Sequence, residues 1–305
     1  MLRNVVKILS TTNVMSNYSI KDLEQLSGIK AHTLRIWEQR YDIIQPKRTE
    51  TNIRFYDDQD LKLVLNISLL QDHGFKISKI SKLSLDSMNA EVMAISDKKL
   101  NYPDQIHALT ISMIDLDEER FEKIIGTNFL QFGFENTMIN IIYPFLSRIG
   151  TLWITGSIGP AQEHFIMNLI RQKIIVAIDG QVLKYHSDQK KFLLYLPEGE
   201  YHETGLLFAN YIIRSRNHRV IYLGQTLPFD DLVLATEVHR PDYIFVSITS
   251  ALTNEETQVY IDKLFVHFPN IKIMMTGYQV VGQGITIGKN GIIINKIDDL
   301  VAELE

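Results

Sequence analysis

The last third of the chain constrains the fold most. From residue 190 onward five short apolar runs recur: KKFLLYLP, HRVIYLG, DYIFVSI, IKIMMTG and GIIINKI. Between them lie stretches with helical spacing at 205–217, 229–239 and 254–268, and a last helix begins near Ile297. Strands that are apolar on both faces and separated by helices call for an open parallel sheet with helices on both sides. Residues 190–305 are therefore expected to form a doubly wound, flavodoxin-like α/β domain, with any ligand at the carboxyl ends of its strands.

Two other textures precede it, so the expected architecture is multidomain, α and α/β. Residues 102–179 read as four amphipathic segments, about 103–114, 117–131, 135–153 and 159–178, which suits a four-helix bundle. Residues 17–85 read as short helices around a basic, polar stretch. Residues 1–16 read as a mobile arm and 86–101 as a linker. None of the 305 residues is cysteine, which excludes disulfides, thiolate metal sites, iron–sulfur clusters and thiol nucleophiles. The longest apolar runs, 174–178 and 243–248, fall far short of a membrane span. The apolar start of the chain is broken by Lys7 and has no cleavage site, so the expected location is cytoplasmic, with no membrane partner.

In the first unit Ser19 is a candidate N-cap, Ile20, Leu23 and Leu26 share a helical face, and Gly28 ends the helix. A second helix over HTLRIWEQRY puts Leu34 and Trp37 inward and His32, Thr33, Arg35, Gln39 and Arg40 outward. Two short helices joined by a glycine-containing turn are a helix-turn-helix. Pro46 stops the second helix, and the segment around Lys47, Arg48 and Arg54 reads as a short hairpin, a wing. Helices at 58–71 and 77–83 follow. Lys30 to Arg54 holds six basic residues against three acids, a local +3 inside a chain of net charge −5. That footprint suits DNA phosphates; the alternative is a solvated face of a small protein-binding domain.

The segment TLRIWEQRYDIIQPKRTETNIRFYDDQDL resembles the DNA-binding domain of MerR-type regulators. The motif residues are Arg35, Trp37, Glu38, Arg40, Tyr41, Pro46, Arg48, Thr49, Arg54 and Tyr56. The resemblance implies double-stranded operator DNA as partner, with Arg35, Arg40, Tyr41, Arg48, Arg54 and Tyr56 as contacts. Trp37 is expected in the core.

Two further clusters carry chemistry. Trp153 is followed by nine residues and then Glu163–His164, with Pro160 near the start of the last bundle helix. The plain reading is a boundary tryptophan and a surface Glu-His pair. The loop PEGEYHETG, leaving the first strand of the sheet, carries Glu198, Glu200, His202 and Glu203 and opens a helix at Gly205. An imidazole there can bind a metal while a carboxylate holds its other nitrogen. One histidine with acids lacks the three or four ligands of a protein zinc site, but suits a metal already held in a macrocycle such as a corrin. The plain alternative is a polar loop with one exposed histidine.

Trp-x9-Glu-His is similar to the helical cap of light-sensing cobalamin regulators of the LitR and CarH type. Glu-x-His-x-x-Gly resembles the signature of cobalamin-binding domains, which continues with Ser-x-Leu and Gly-Gly. Ser247 and Gly277 fall at the matching strand ends, but Thr249 replaces the leucine and Thr276 the first glycine. Thr276 and Tyr278 are expected to narrow the groove for the nucleotide tail. The resemblance implies cobalamin, as adenosylcobalamin, with His202 as the lower axial cobalt ligand. Trp153, Glu163 and His164 would cover the upper face, and His164 would replace the group lost on photolysis. Glu200, Gly205, Ser247, Thr249 and Gly277 would complete the site. It also implies a non-enzymatic repressor that is a homo-oligomer, a dimer that becomes a tetramer with adenosylcobalamin. Two other readings remain: a MerR-type regulator whose sheet domain senses another ligand or protein, and a corrinoid enzyme subunit.

Overall fold

The computed structural model describes residues 18–49, 51–96, 102–154, 158–182, 188–250 and 252–305. The chain divides into two compact units, one ending at Leu169 and the other beginning at Ile170. The arm expected at 1–16 lies outside the described residues.

The first unit opens with α1 (Ile20–Ser27) and α2 (Ala31–Tyr41). Ser19 and Asp22 form a reciprocal capping box, and Gly28 ends α1 in the left-handed region at φ 76°. Strands β1 (Lys47–Arg48) and β2 (Arg54–Phe55) pair antiparallel, Arg48 opposite Arg54. This is the expected wing. The helix α3 (Asp58–Asp72), capped by Asp57, and α4 (Ile77–Ile80) follow. Leu23, Leu26, Leu34, Trp37, Leu61 and Leu65 are buried. A buried hydrogen bond from Ser68 Oγ to the Ser27 carbonyl (2.7 Å) joins α3 to the end of α1.

Much of the stretch 86–101 belongs to a helix, α5 (Leu85–Ser96), which buries Met88 and Val92 and packs on α3. Then come α6 (Tyr102–Asp115), α7 (Glu118–Phe132), α8 (Phe134–Thr137) and α9 (Tyr143–Ile154). A π turn over Met138–Ile142 joins the last two into one long helix. Leu109, Met113, Phe121, Ile125, Ile141 and Phe145 form the apolar interior expected of a bundle. The fourth helix, α10 (Pro160–Asp179), starts on its proline as expected.

The second unit contains the end of α10 and a five-stranded parallel sheet. Its strands are β3 (Lys191–Pro197), β4 (Arg219–Leu227), β5 (Tyr243–Ser247), β6 (Lys272–Thr276) and β7 (Gly291–Ile293). All five expected strands are present, in the order β4-β3-β5-β6-β7. This is the flavodoxin-like arrangement, with its switch point between β3 and β5. The helices are α11 (Thr204–Ser215), α12 (Phe229–His239), α13 (Asn254–His267) and α14 (Ile297–Leu304). Leu193, Tyr195, Ile244, Val246, Ile273 and Met275 pack with Leu232, Ile261 and Leu264 from α12 and α13. The alternate residues Phe192 and Leu194 are equally buried on the opposite face, where α11 packs on β3.

Candidate functional site

In the helix-turn-helix, α2 presents His32, Arg35, Gln39 and Arg40 to solvent, while Trp37 is 5 % exposed and lies in the core as expected. Tyr41 is half-buried, with the Arg40 guanidinium 5.6 Å from its ring centre. No side chain of Lys30 caps α2. Instead Glu24 of α1 reaches across the turn and accepts from the Ala31 N–H and from Lys30 Nζ, both at 2.9 Å. Those bonds lower the Glu24 pKa. In the wing, Arg48 and Arg54 are exposed. Arg48 donates to Asn52 Oδ1 at 2.7 Å, and Arg54 lies 3.9 Å from Glu38 of α2. Lys47, by contrast, is drawn back onto Asp57 and Asp60 at the start of α3.

Tyr56 corrects the sequence expectation of an outward contact. It is 2 % exposed, and its backbone pairs in both directions with Tyr18 (2.8 and 2.9 Å). The residue two before it, Arg54, points to solvent. Tyr56 follows directly after β2, and its ring goes into the core.

In the bundle, Glu163 and His164 stand in the first two turns of α10, paired with each other at 3.4 Å. His164 is largely exposed. Trp153 belongs to the last turn of α9, but its side chain lies outside the described residues.

The most developed polar site lies at the switch point of the sheet. Glu200, in the loop after β3, is completely buried. Its Oε1 accepts from the backbone N–H of Tyr201 and His202 (both 3.0 Å) and from His202 Nδ1 (2.6 Å). Its Oε2 accepts from the N–H groups of Thr249 (2.8 Å) and Ser250 (2.7 Å), in the loop after β5. Burial pushes this carboxyl up. The hydrogen bonds from Ser250, His202 and Thr249 outweigh burial, and the pKa falls to about 2. Glu200 is therefore a fixed anion that ties the two loops flanking the switch point.

His202 is 60 % exposed. Its Nδ1 is engaged by Glu200 and lies 3.0 Å from Ser250 Oγ. A carboxylate on Nδ1 holds the proton there and leaves the Nε2 lone pair for a ligand. Among the described residues no group of three or more His, Asp or Glu gathers to hold a bare metal ion. The donor set thus fits a metal that brings its own equatorial ligands.

The remaining predicted residues line the same edge. Ser247 closes β5 opposite Thr276. Gly277 has φ 101°, and a Cβ there would lie 2.3 Å from the Ile248 carbonyl oxygen, so only glycine fits. A Cβ on Gly205 would meet nothing within 4 Å. Thr276 donates Oγ1 to the Ile294 carbonyl at 2.8 Å, so its side chain turns toward the chain beyond β7. Tyr278 is 71 % exposed. Sequence reasoning missed Glu24 and Ser250, and it placed Glu203 in the loop without its partners Arg171 and Tyr222, which lie in other elements.

Residues 18–86 match the MerR HTH family regulatory protein model, and residues 105–177 match the B12 binding domain model. The chain is 27 % identical to the HTH-type transcriptional repressor CarH of Myxococcus xanthus, over 81 % of this chain and 84 % of that one. It is 25 % identical to the repressor CarA of the same organism, over 78 % of each. Its head is 33 % identical to the regulator MlrA of Escherichia coli, over 26 % of this chain and 32 % of that one. No described helix is long and apolar enough to cross a membrane. The exposed basic helix and wing lie within the first matched region and most of the helical bundle within the second, so the chain is a transcriptional regulator that carries a MerR-type helix-turn-helix and a B12-binding domain.

Proposed function

We propose that this chain is a repressor that binds operator DNA and answers to cobalamin, with adenosylcobalamin as the light-sensitive form. The observation that carries the reading is the Glu200–His202 pair. A buried anion fixes the tautomer of one exposed imidazole at a sheet switch point, in a chain that begins with a DNA-reading head. His202 Nε2 is assigned as the lower axial ligand of cobalt. Trp153, Glu163 and His164 would cover the side of the corrinoid away from His202, and His164 would be a second residue able to hold the cobalt. Gly205, Ser247, Thr249 and Gly277 are assigned to the corrinoid and its tail.

Bound adenosylcobalamin supplies a cobalt–carbon bond that light cleaves. The protein's part is to bind that state and its product differently, since a ligand shifts a conformation only through differential contacts. Arg35, Arg40, Tyr41, Arg48 and Arg54 are assigned to DNA, bound by a dimer because a helix-turn-helix reads half-sites in pairs. The dark, cofactor-bound form is assigned as a tetramer. We assign residues 17–85 to DNA reading, 102–179 to the cap and 190–305 to the lower face.

The test is an absorbance spectrum and a size-exclusion run of the purified protein with adenosylcobalamin, in the dark and after illumination. The expected result is a coloured complex whose size falls on illumination. A complex that forms but ignores light removes the photoreceptor reading. A protein that takes up no corrinoid leaves a regulator that senses another ligand.

A further inference from the structure

A second buried carboxylate stands next to the ligand loop. Glu203 follows His202 directly, is 8 % exposed, and is the last residue before α11. Arg171 of α10 donates Nε to Glu203 Oε1. Tyr222 of β4 donates its hydroxyl to Oε2 at 3.3 Å. Burial, followed by the charge of Glu203, raises the Tyr222 pKa, so this phenol keeps its proton and stays a donor. Three elements distant in sequence therefore meet on one carboxylate beside the histidine.

The backbone here is held from both sides. On one side Glu200 accepts from the His202 N–H and ring. On the other the Glu203 N–H donates to the Tyr201 carbonyl (2.9 Å), and the Glu203 carbonyl accepts from Leu207 (2.8 Å). Adjacent Cα atoms sit a fixed 3.8 Å apart, so a displacement of the His202 backbone is passed to the Glu203 backbone. Any such motion is then felt at Arg171. Arg171 follows His164 by seven residues on α10, which puts both on one stripe of the same helix. The Arg171 side chain is half-exposed, and a half-exposed ion pair adds little to global stability.

We propose that Arg171, Glu203 and Tyr222 are positioning residues that fix the backbone carrying His202 and pass its position to α10. This rests on the assignment of His202 as the axial ligand. A ligand held at Nε2 would restrain His202, and Glu203 and Arg171 would carry that restraint to α10. The network acts on the corrinoid only through His202.

The test uses the full-length protein and the variants Arg171→Met, Tyr222→Phe and the conservative Arg171→Lys, with hydrogen–deuterium exchange as readout. In the cofactor-free protein, Arg171→Met is expected to speed exchange of the loop at 198–206 on the order of tenfold, with Arg171→Lys restoring part of the protection. Peptides from β3 and β5 serve as the fold control, and Tyr222→Phe changes shape least. With adenosylcobalamin added, the wild type is expected to gain protection in both the loop and 160–179. Arg171→Met is expected to keep the His202-ligated spectrum, bind on the order of tenfold more weakly and lose the gain in 160–179. Wild-type loop exchange in both Arg171→Met and Tyr222→Phe without cofactor overturns the proposal. So does an undiminished response of 160–179 in Arg171→Met. A wild type that takes up no corrinoid overturns the His202 assignment instead, and with it the ligand-driven part of the proposal.

Discussion

His202 Nδ1 donates to the buried carboxylate of Glu200 at 2.6 Å, and that contact decides which ring nitrogen is left for a ligand. Replacing Glu200 with Gln keeps the shape but turns one amide face toward two N–H donors, those of Thr249 and Ser250. Each donor left unsatisfied costs about 1–3 kcal/mol. Glu200→Gln is therefore expected to lower the urea midpoint, and His202→Ala to alter the corrinoid spectrum with a smaller effect on stability. The pKa of Glu200 is about 2, below its ordinary value of 4.5. Its stabilisation is complete above pH 4.5 and is lost as the pH falls through 2. The gap between wild type and Glu200→Gln should narrow over that window in urea titrations.

DNA binding should be salt-dependent and should rest on exposed cations. Arg35→Ala, Arg48→Ala and Arg54→Ala should each weaken retardation of operator DNA. Each should also reduce the salt slope by about one unit per lost phosphate contact. Lys47→Ala should act mainly on stability, because Lys47 is held by Asp57 and Asp60. Equal salt slopes in wild type and Arg48→Ala would remove Arg48 from the interface.

His107 of α6 is 5 % exposed, and among the described residues its Nδ1 has no hydrogen-bond partner. Burial, with the nearby charge of Arg148, lowers its pKa from 6.5 to about 4. A depressed histidine pKa means that the unfolded chain binds the proton first. Stability should therefore decline as the pH falls from 6.5 toward 4, by at most about 1.4 kcal/mol per pH unit from this group. His107→Gln should flatten that part of the curve, measured by urea unfolding at pH 7 and pH 5.

The two glycines of the ligand edge should behave oppositely. Gly277→Ala forces a Cβ into the Ile248 carbonyl at positive φ and should destabilise the second unit by about 2 kcal/mol or more. Gly205→Ala meets open space and should leave the melting temperature nearly unchanged. A bulky Gly205→Phe should fold as well and reject corrinoid, as read by absorbance after gel filtration.

The strands of the sheet were legible because burial on both faces writes itself as an apolar run. The helix-turn-helix was legible because Ser19, Gly28 and the inward Leu34 and Trp37 are local signals. Glu200, His202 and Gly205 were legible as a spaced motif. The partners of Glu203 were not, because Arg171 and Tyr222 reach it from 32 residues before and 19 after. The burial of the Tyr56 ring was not legible, because the motif that names Tyr56 as a contact carries no signal of which way its ring turns. The partner of Thr276 was not legible either, since nothing local announces the Ile294 carbonyl that its hydroxyl binds.

The Glu24 carboxylate that caps α2 from outside has a consequence for the cost of reading DNA. A recognition helix with only its own residues to hold its first turn frays, and must be frozen each time it enters a groove. Here that order is installed when the chain folds, together with the salt link to Lys30. The entropy is spent before the encounter, and the outward arginines arrive with their spacing already set.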